Sequence, residues 1–222
     1  MNADQAVVLY GSVARGDDDE ASDIDILVVS SNGLPVDDHA FSSLAQGRPI
    51  NISCYTWSEF EAMSASGSLF IKHLLYEAKP IAYVGNGEKV YLRILNDVTE
   101  YRHVERDLAS FRLGIEDCRH GISVGSPGEF ELAVVGGIAR HASVLGCYLK
   151  GETTFGRTSI ARACRLLGLE GVSEELALAH RFRLFEQRQC LRPKSMDRGE
   201  VMSVINACDK FICALEGFWN AK

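Results

Sequence analysis

The sequence predicts an α+β protein: a small mixed β-sheet domain with flanking helices over residues 1–95, then an all-α helical bundle over residues 96–222. Three observations predict it. Short apolar runs of strand type, Ala6–Tyr10, Ile24–Val29, Ile50–Tyr55 and Ile81–Val84, all fall in the first part and are separated by turn signals. From about Asn96 onward, apolar residues recur at a 3–4 spacing through five segments with short connections, the pattern of a bundle. Charge divides the same way: residues 1–97 carry 6 basic and 14 acidic side chains, a balance of −8, whereas residues 98–222 carry 17 and 16, a balance of +1.

Ala6–Tyr10 reads as a buried strand stopped by a turn at Gly11-Ser12, with a short helix begun at Ser12. Asp17-Asp18-Asp19-Glu20 is a solvated, charged loop, and Ile24–Val29 is the second strand. Asp37–Gln46 is expected as a short helix ending at Gly47, followed by the alternating strand Ile50–Tyr55 beside the second. Trp57–Ala65 and Ser68–Ala78 read as helices, the first capped by Thr56 or Ser58. Lys79-Pro80 breaks the pattern before Ile81–Val84, which ends at Gly85-Asn86-Gly87. A capping box at Asp97 and Glu100 is expected to open a helix running to about Ile122. A second box, Ser126-Pro127-Gly128-Glu129, opens a helix to Leu149 whose Gly136-Gly137 pair marks either close helix packing or a weak point. Thr158–Leu167, Ser173–Leu191 and Met196–Phe218 complete the five.

The chemistry concentrates at the head of the second strand. Strand side chains alternate faces, so Asp23 and Asp25 project together while Ile24 and Ile26 turn into the core. Like charges held that close repel unless a cation neutralises them, and hard divalent ions take such oxygen ligands. Opposite them, Gly11 lets the backbone approach a ligand, and Ser12 adds a hydroxyl and an N–H. Phosphates gripped at the bend would meet a metal held by the two aspartates.

Gly11-Ser12, ten residues, then Asp23-Ile24-Asp25 resembles the G-S-x10-D-x-D signature of the DNA polymerase β-like nucleotidyltransferase superfamily, nearest in pattern to its minimal and antibiotic-modifying types. Arg15-Gly16 is similar to the arginine–glycine of the same loop, and the helical half resembles the bundle of the antibiotic-modifying members. The resemblance covers Ala6–Val29 in detail and the chain to Val84 more loosely; beyond that it is architectural. It implies transfer of a nucleoside monophosphate from a nucleoside triphosphate, ATP first, to a hydroxyl of a small molecule or protein. By this resemblance Asp23 and Asp25 hold Mg2+ or Mn2+ and carry catalysis, Gly11, Ser12 and Arg15 bind the nucleotide, and the bundle covers the cleft and presents the acceptor. The antibiotic-modifying members also suggest a homodimer. One departure stands out. The third strand of the family usually brings a third carboxylate, and the matching third-ligand position here is Asn51, a neutral oxygen. That supports an alternative: a catalytically weak nucleotide-binding or antitoxin-like module acting through a protein partner. Asp37, Asp38, Glu59 and Glu77 are the nearby candidates for a general base, and all read more simply as surface residues.

Composition narrows the remaining possibilities. A net charge of −7, concentrated in the half with the paired aspartates, disfavours nucleic acid as a partner. Arg181, Arg183, Arg188, Arg192, Lys194 and Arg198 cluster locally, as a solvated helix face does. Lys72 is likewise expected to face solvent. No histidine has an arginine placed upstream as in the helical-bundle ribonucleases. The seven cysteines form no C-x-x-C pair and read as free thiols. With no basic region followed by an apolar core at the N-terminus and no uninterrupted apolar run of membrane length, a cytoplasmic protein is expected.

Overall fold

A computed structural model describes residues 4–19, 22–33, 41–45, 47–187 and 189–221. The chain divides into two compact units, residues 1–102 and 103–222. Among the described residues the first is built on a four-stranded mixed sheet in the order β3-β2-β1-β4, made of β1 (Gln5–Tyr10), β2 (Ile24–Ser30), β3 (Ile50–Thr56) and β4 (Lys79–Val84). β1 runs antiparallel to both β2 and β4, and β2 runs parallel to β3. Between them lie α1 (Gly11–Arg15), α2 (Ser42–Ala45), α3 (Trp57–Ala65) and α4 (Leu69–Glu77), and α5 (Gly87–Asn96) follows β4. Of the expected helix Asp37–Gln46 only residues 41–45 are described, with α2 over Ser42–Ala45; residues 37–40 (Asp37 and Asp38 among them), Gln46, Glu20 of the charged loop and Arg188 lie outside the described residues.

Period-two alternation in the strands builds two cores. Ala6, Val8 and Tyr10 of β1, with Leu27 and Val29 of β2, face Phe60, Ile71, Leu74, Tyr91 and Ile94 of α3, α4 and α5. Val7, Ile24, Ile26 and Val28 face the other way, with Phe41 and Ala45. Asp25 stands two residues before Leu27 and so belongs to the face covered by α3, α4 and α5.

α5 is a helix where only a turn is legible at Gly85-Asn86-Gly87, and its buried Tyr91, Ile94 and Leu95 seal that face. Asp97 and Glu100 do not open a helix. Asp97 follows the end of α5, and α6 (Val104–Ser123) begins later. The reason is tertiary: Thr99 donates its N–H to the Ser64 carbonyl (3.2 Å) and its hydroxyl to the Ala65 carbonyl (2.9 Å). Its own carbonyl accepts from Lys72 Nζ (2.8 Å), so Lys72 does not simply face solvent. These bonds pin the connection against α3 and α4 in a non-helical path.

The second unit consists of α6, α7 (Glu129–Leu149), α8 (Ser159–Leu166), α9 (Ser173–Glu186) and α10 (Arg198–Asn220), with a 3-10 turn at Glu170–Val172. α7 lies at its centre, against all four of the others. It has the length and hydropathy of a membrane span, but 61% of that stretch is buried inside the unit, as in a core helix. The Ser126 box also differs from expectation. Gly128, at φ 93°, precedes the helix, and the Ser126 hydroxyl donates instead to Glu131 (2.6 Å). The apolar stripe of α10, Val201 to Leu215, is buried as its spacing predicts, and Asp197 with Glu200 forms its capping box. Arg112 and Arg119 of α6 bridge to Asp209 of α10 at 2.8 and 2.7 Å. Arg192 of the basic cluster pairs with Glu129. The seven cysteines are free thiols.

Of the two readings of Gly136-Gly137, close packing is the observed one. A Cβ at Gly136 would lie 2.2 Å from the Ala179 carbonyl oxygen of α9, which is backbone and cannot yield. Gly136→Val should therefore force α7 and α9 apart and destabilise the protein by about 3 kcal/mol, read as a lowered denaturation midpoint. Gly137→Ala, whose Cβ would meet only Arg183 Cδ at 4.0 Å, should be near neutral.

Candidate active site

Strand register assembles the site. β1 and β2 pair Tyr10 with Asp25, and β2 and β3 pair Asp25 with Asn51, so the three stand in one row across the end of the sheet. Asp23 lies two residues before Asp25, just ahead of β2. The chain leaves β1 at Tyr10 and turns at once into α1, whose first residue, Gly11, has φ 76°. A Cβ there would sit 2.2 Å from Asp25 Oδ2, so only a hydrogen fits between the bend and that carboxylate. The bend therefore faces Asp25. α1 is five residues long and is closed by Gly16, whose N–H donates to the Ser12 carbonyl (2.8 Å).

Electrostatics mark Asp25 out. Burial, reinforced by the neighbouring charge of Asp23, raises its pKa to about 6. The amide nitrogen of Asn51 donates to Asp25 Oδ1 (3.0 Å) and offsets part of that rise. Burial also pushes the Tyr10 hydroxyl up to about 12, despite its 3.1 Å hydrogen bond with Ser53, so it stays protonated.

The other candidate residues fall out differently. Arg15 is at the C-terminal end of α1, with Nε on the Asp17 carboxylate (3.1 Å) and Nη1 on Glu77 (2.8 Å). Glu59 serves the helix rather than the site, completing a capping box with Thr56. Glu77 is not a surface residue: its side chain is only 6% exposed and reaches the bend itself. The only local signal is His73, four residues earlier on the same helix face; the partners that bring Glu77 to the bend, Gly11 and Arg15, lie 66 and 62 residues away in sequence.

Asp23, Asp25 and Asn51 offer hard oxygen donors of the kind Mg2+ or Mn2+ takes. Among the described residues, no group of three His, Cys, Asp or Glu side chains is gathered so as to hold a metal ion. The donor set is two carboxylates and an amide. Asp25, with its ionisation opposed by burial and by Asp23, is the kind of group a cation would relieve. By chemistry the residues present fit a divalent ion with a reduced protein charge.

A family model described as a nucleotidyltransferase domain matches residues 1–116. No match to a curated protein was found. The match covers the whole sheet unit, including the bend, the paired aspartates and the strand carrying Asn51, and more than half of the chain; the protein belongs to the nucleotidyltransferase domain family.

Proposed function

We propose that this protein transfers a nucleoside monophosphate from a nucleoside triphosphate, ATP first, to a hydroxyl on a small molecule or a protein side chain. The observation that carries the proposal is the contact geometry at Gly11, where the bend has room for only a hydrogen between itself and Asp25. A ligand gripped at the bend would lie against the acids. Asp23 and Asp25 would hold Mg2+ or Mn2+, with Asn51 at the third position. When bound, the ion would neutralise charge developing on the leaving pyrophosphate and align in-line attack. Ser12 would offer its hydroxyl and N–H to the phosphates, and Arg15 would add positive charge at the end of the same short helix. Asn51 holds Asp25 in place by donating to Oδ1.

One observation favours a second reading. Asn51 brings no charge and already donates to Asp25, which suits a nucleotide-binding module of weak turnover that works through a protein partner. Transfer of label from an α-labelled triphosphate, screened over small-molecule and protein acceptors with Mg2+ or Mn2+, separates the two. Wild type should label an acceptor, and Asp23→Ala or Asp25→Ala should reduce transfer at least about a hundredfold. Metal-dependent triphosphate binding with no transfer to any acceptor would select the module instead.

A further inference from the structure

The last residue of α4 turns inward beside the bend. Glu77 Oε1 accepts from the Gly11 N–H (2.9 Å), and its two oxygens accept from Arg15 Nη1 at 2.9 and 2.8 Å. His73, one turn earlier on α4, places Nε2 against the same carboxylate and 3.2 Å from Arg15 Nη1. Burial alone would push the Glu77 carboxyl up, but the hydrogen bonds from His73 and Arg15 carry it below its ordinary value, so it is ionised at neutral pH. On its other edge, Arg15 donates Nε to both oxygens of Asp17 (3.1 and 3.2 Å).

The bend needs such a support. α1 is a five-residue helix that begins at φ 76°, too short to hold its own shape. α4, by contrast, is anchored in the core through Ile71 and Leu74. From these contacts we infer that Glu77 is a positioning residue, joining the Gly11 amide and the Arg15 guanidinium to α4 so that Ser12 and Arg15 are set against the Asp23–Asp25 pair. In this role it touches no substrate and acts through Gly11 and Arg15. The inference rests on the phosphate-gripping role proposed for the bend.

The test is equilibrium binding of Mg2+ together with each of the four nucleoside triphosphates in non-hydrolysable form, and of Mg2+ alone. Glu77→Gln should weaken the best-bound triphosphate about tenfold, the scale of losing a charged hydrogen bond. Arg15→Gln should do the same, and the double variant should lose clearly less than the product of the two single effects, because Glu77 acts in part through Arg15. Glu77→Asp keeps the charge one methylene short and should recover part of the affinity. It also carries the comparison if Glu77→Gln does not fold. Mg2+ binding without nucleotide should stay within twofold, a result that general loss of structure would not give. The inference is overturned if Glu77→Gln or, where that variant does not fold, Glu77→Asp binds triphosphate like wild type, if the two single effects multiply in the double, or if Mg2+ alone is lost equally. A wild type that binds none of the four overturns the phosphate role of the bend and this inference with it. Binding by wild type with no effect at Glu77 overturns this inference alone.

Discussion

Asp25→Asn should make the metal-free protein more stable at neutral pH while removing its ability to hold Mg2+ and triphosphate together. The carboxyl at position 25 has its pKa raised to about 6 by burial and by Asp23, against about 3.9 in an unfolded chain. A carboxyl raised on folding binds its proton more tightly in the native state. Its stabilising contribution is therefore fully present below about pH 4 and is lost as the pH rises through about 6. Above that range the native state carries an unwelcome charge. A rise of that size would correspond to about 3 kcal/mol, and partial exposure and solvent screening reduce this to on the order of 1–2 kcal/mol. Asparagine removes the charge and keeps an oxygen that can accept from Asn51. Urea unfolding in EDTA should show the variant gaining on wild type between pH 4 and pH 7, with the two nearly equal at the acid end. Saturating Mg2+ should then stabilise wild type and leave the variant unmoved, since only a native state that binds the ion gains from it. A stability difference that does not vary with pH would mean that Asp25 is not the strained charge of this site.

How much of the fold and the site is legible in the sequence depends on how local each signal is. Asn51 is legible through the family pattern, which marks one position of the third strand as a ligand position, and that residue does pair with Asp25 across β2 and β3. The Gly11-Ser12 bend is legible locally, because glycine followed by a polar residue after an apolar run is itself a turn signal. Glu77 is not. A glutamate at a helix end beside Lys79-Pro80 looks solvated; His73 at i−4 is a local partner, but the contacts that hold Glu77 at the bend depend on Gly11 and Arg15 meeting it in space. The Asp97–Glu100 box fails in a related way. The motif is present, but Thr99 finds better partners on α3 and α4 than a new helix would offer. α5 has a 3–4 spacing through Tyr91, Ile94 and Leu95, masked by the strong turn signal of Gly85-Asn86-Gly87 before it.

Asn51→Asp should tighten Mg2+ binding at least about tenfold, and it decides between enzyme and module. β3 sets this residue in register with Asp25, and its side chain already reaches that carboxylate, so an aspartate there joins the existing pair without moving the backbone. A third negative oxygen raises the affinity of a hard-cation site, where ligand charge count tunes binding. The metal-free protein should respond the other way. Asp25 would lose a hydrogen-bond donor and gain a like charge, so its pKa should rise further and neutral-pH stability should fall. Opposite shifts in the metal-free and metal-bound forms are the signature of a true ligand position, and a surface substitution would produce neither. For transfer, the two readings part. If the wild-type protein turns over through the two-aspartate site, the extra carboxylate changes the rate of a reaction already present. If it is a binding module, transfer appears only in the variant, measured with the same α-labelled triphosphate and acceptors. Mg2+ affinity unchanged by Asn51→Asp would place position 51 outside the metal site and leave Asp23 and Asp25 without the neighbour their geometry implies.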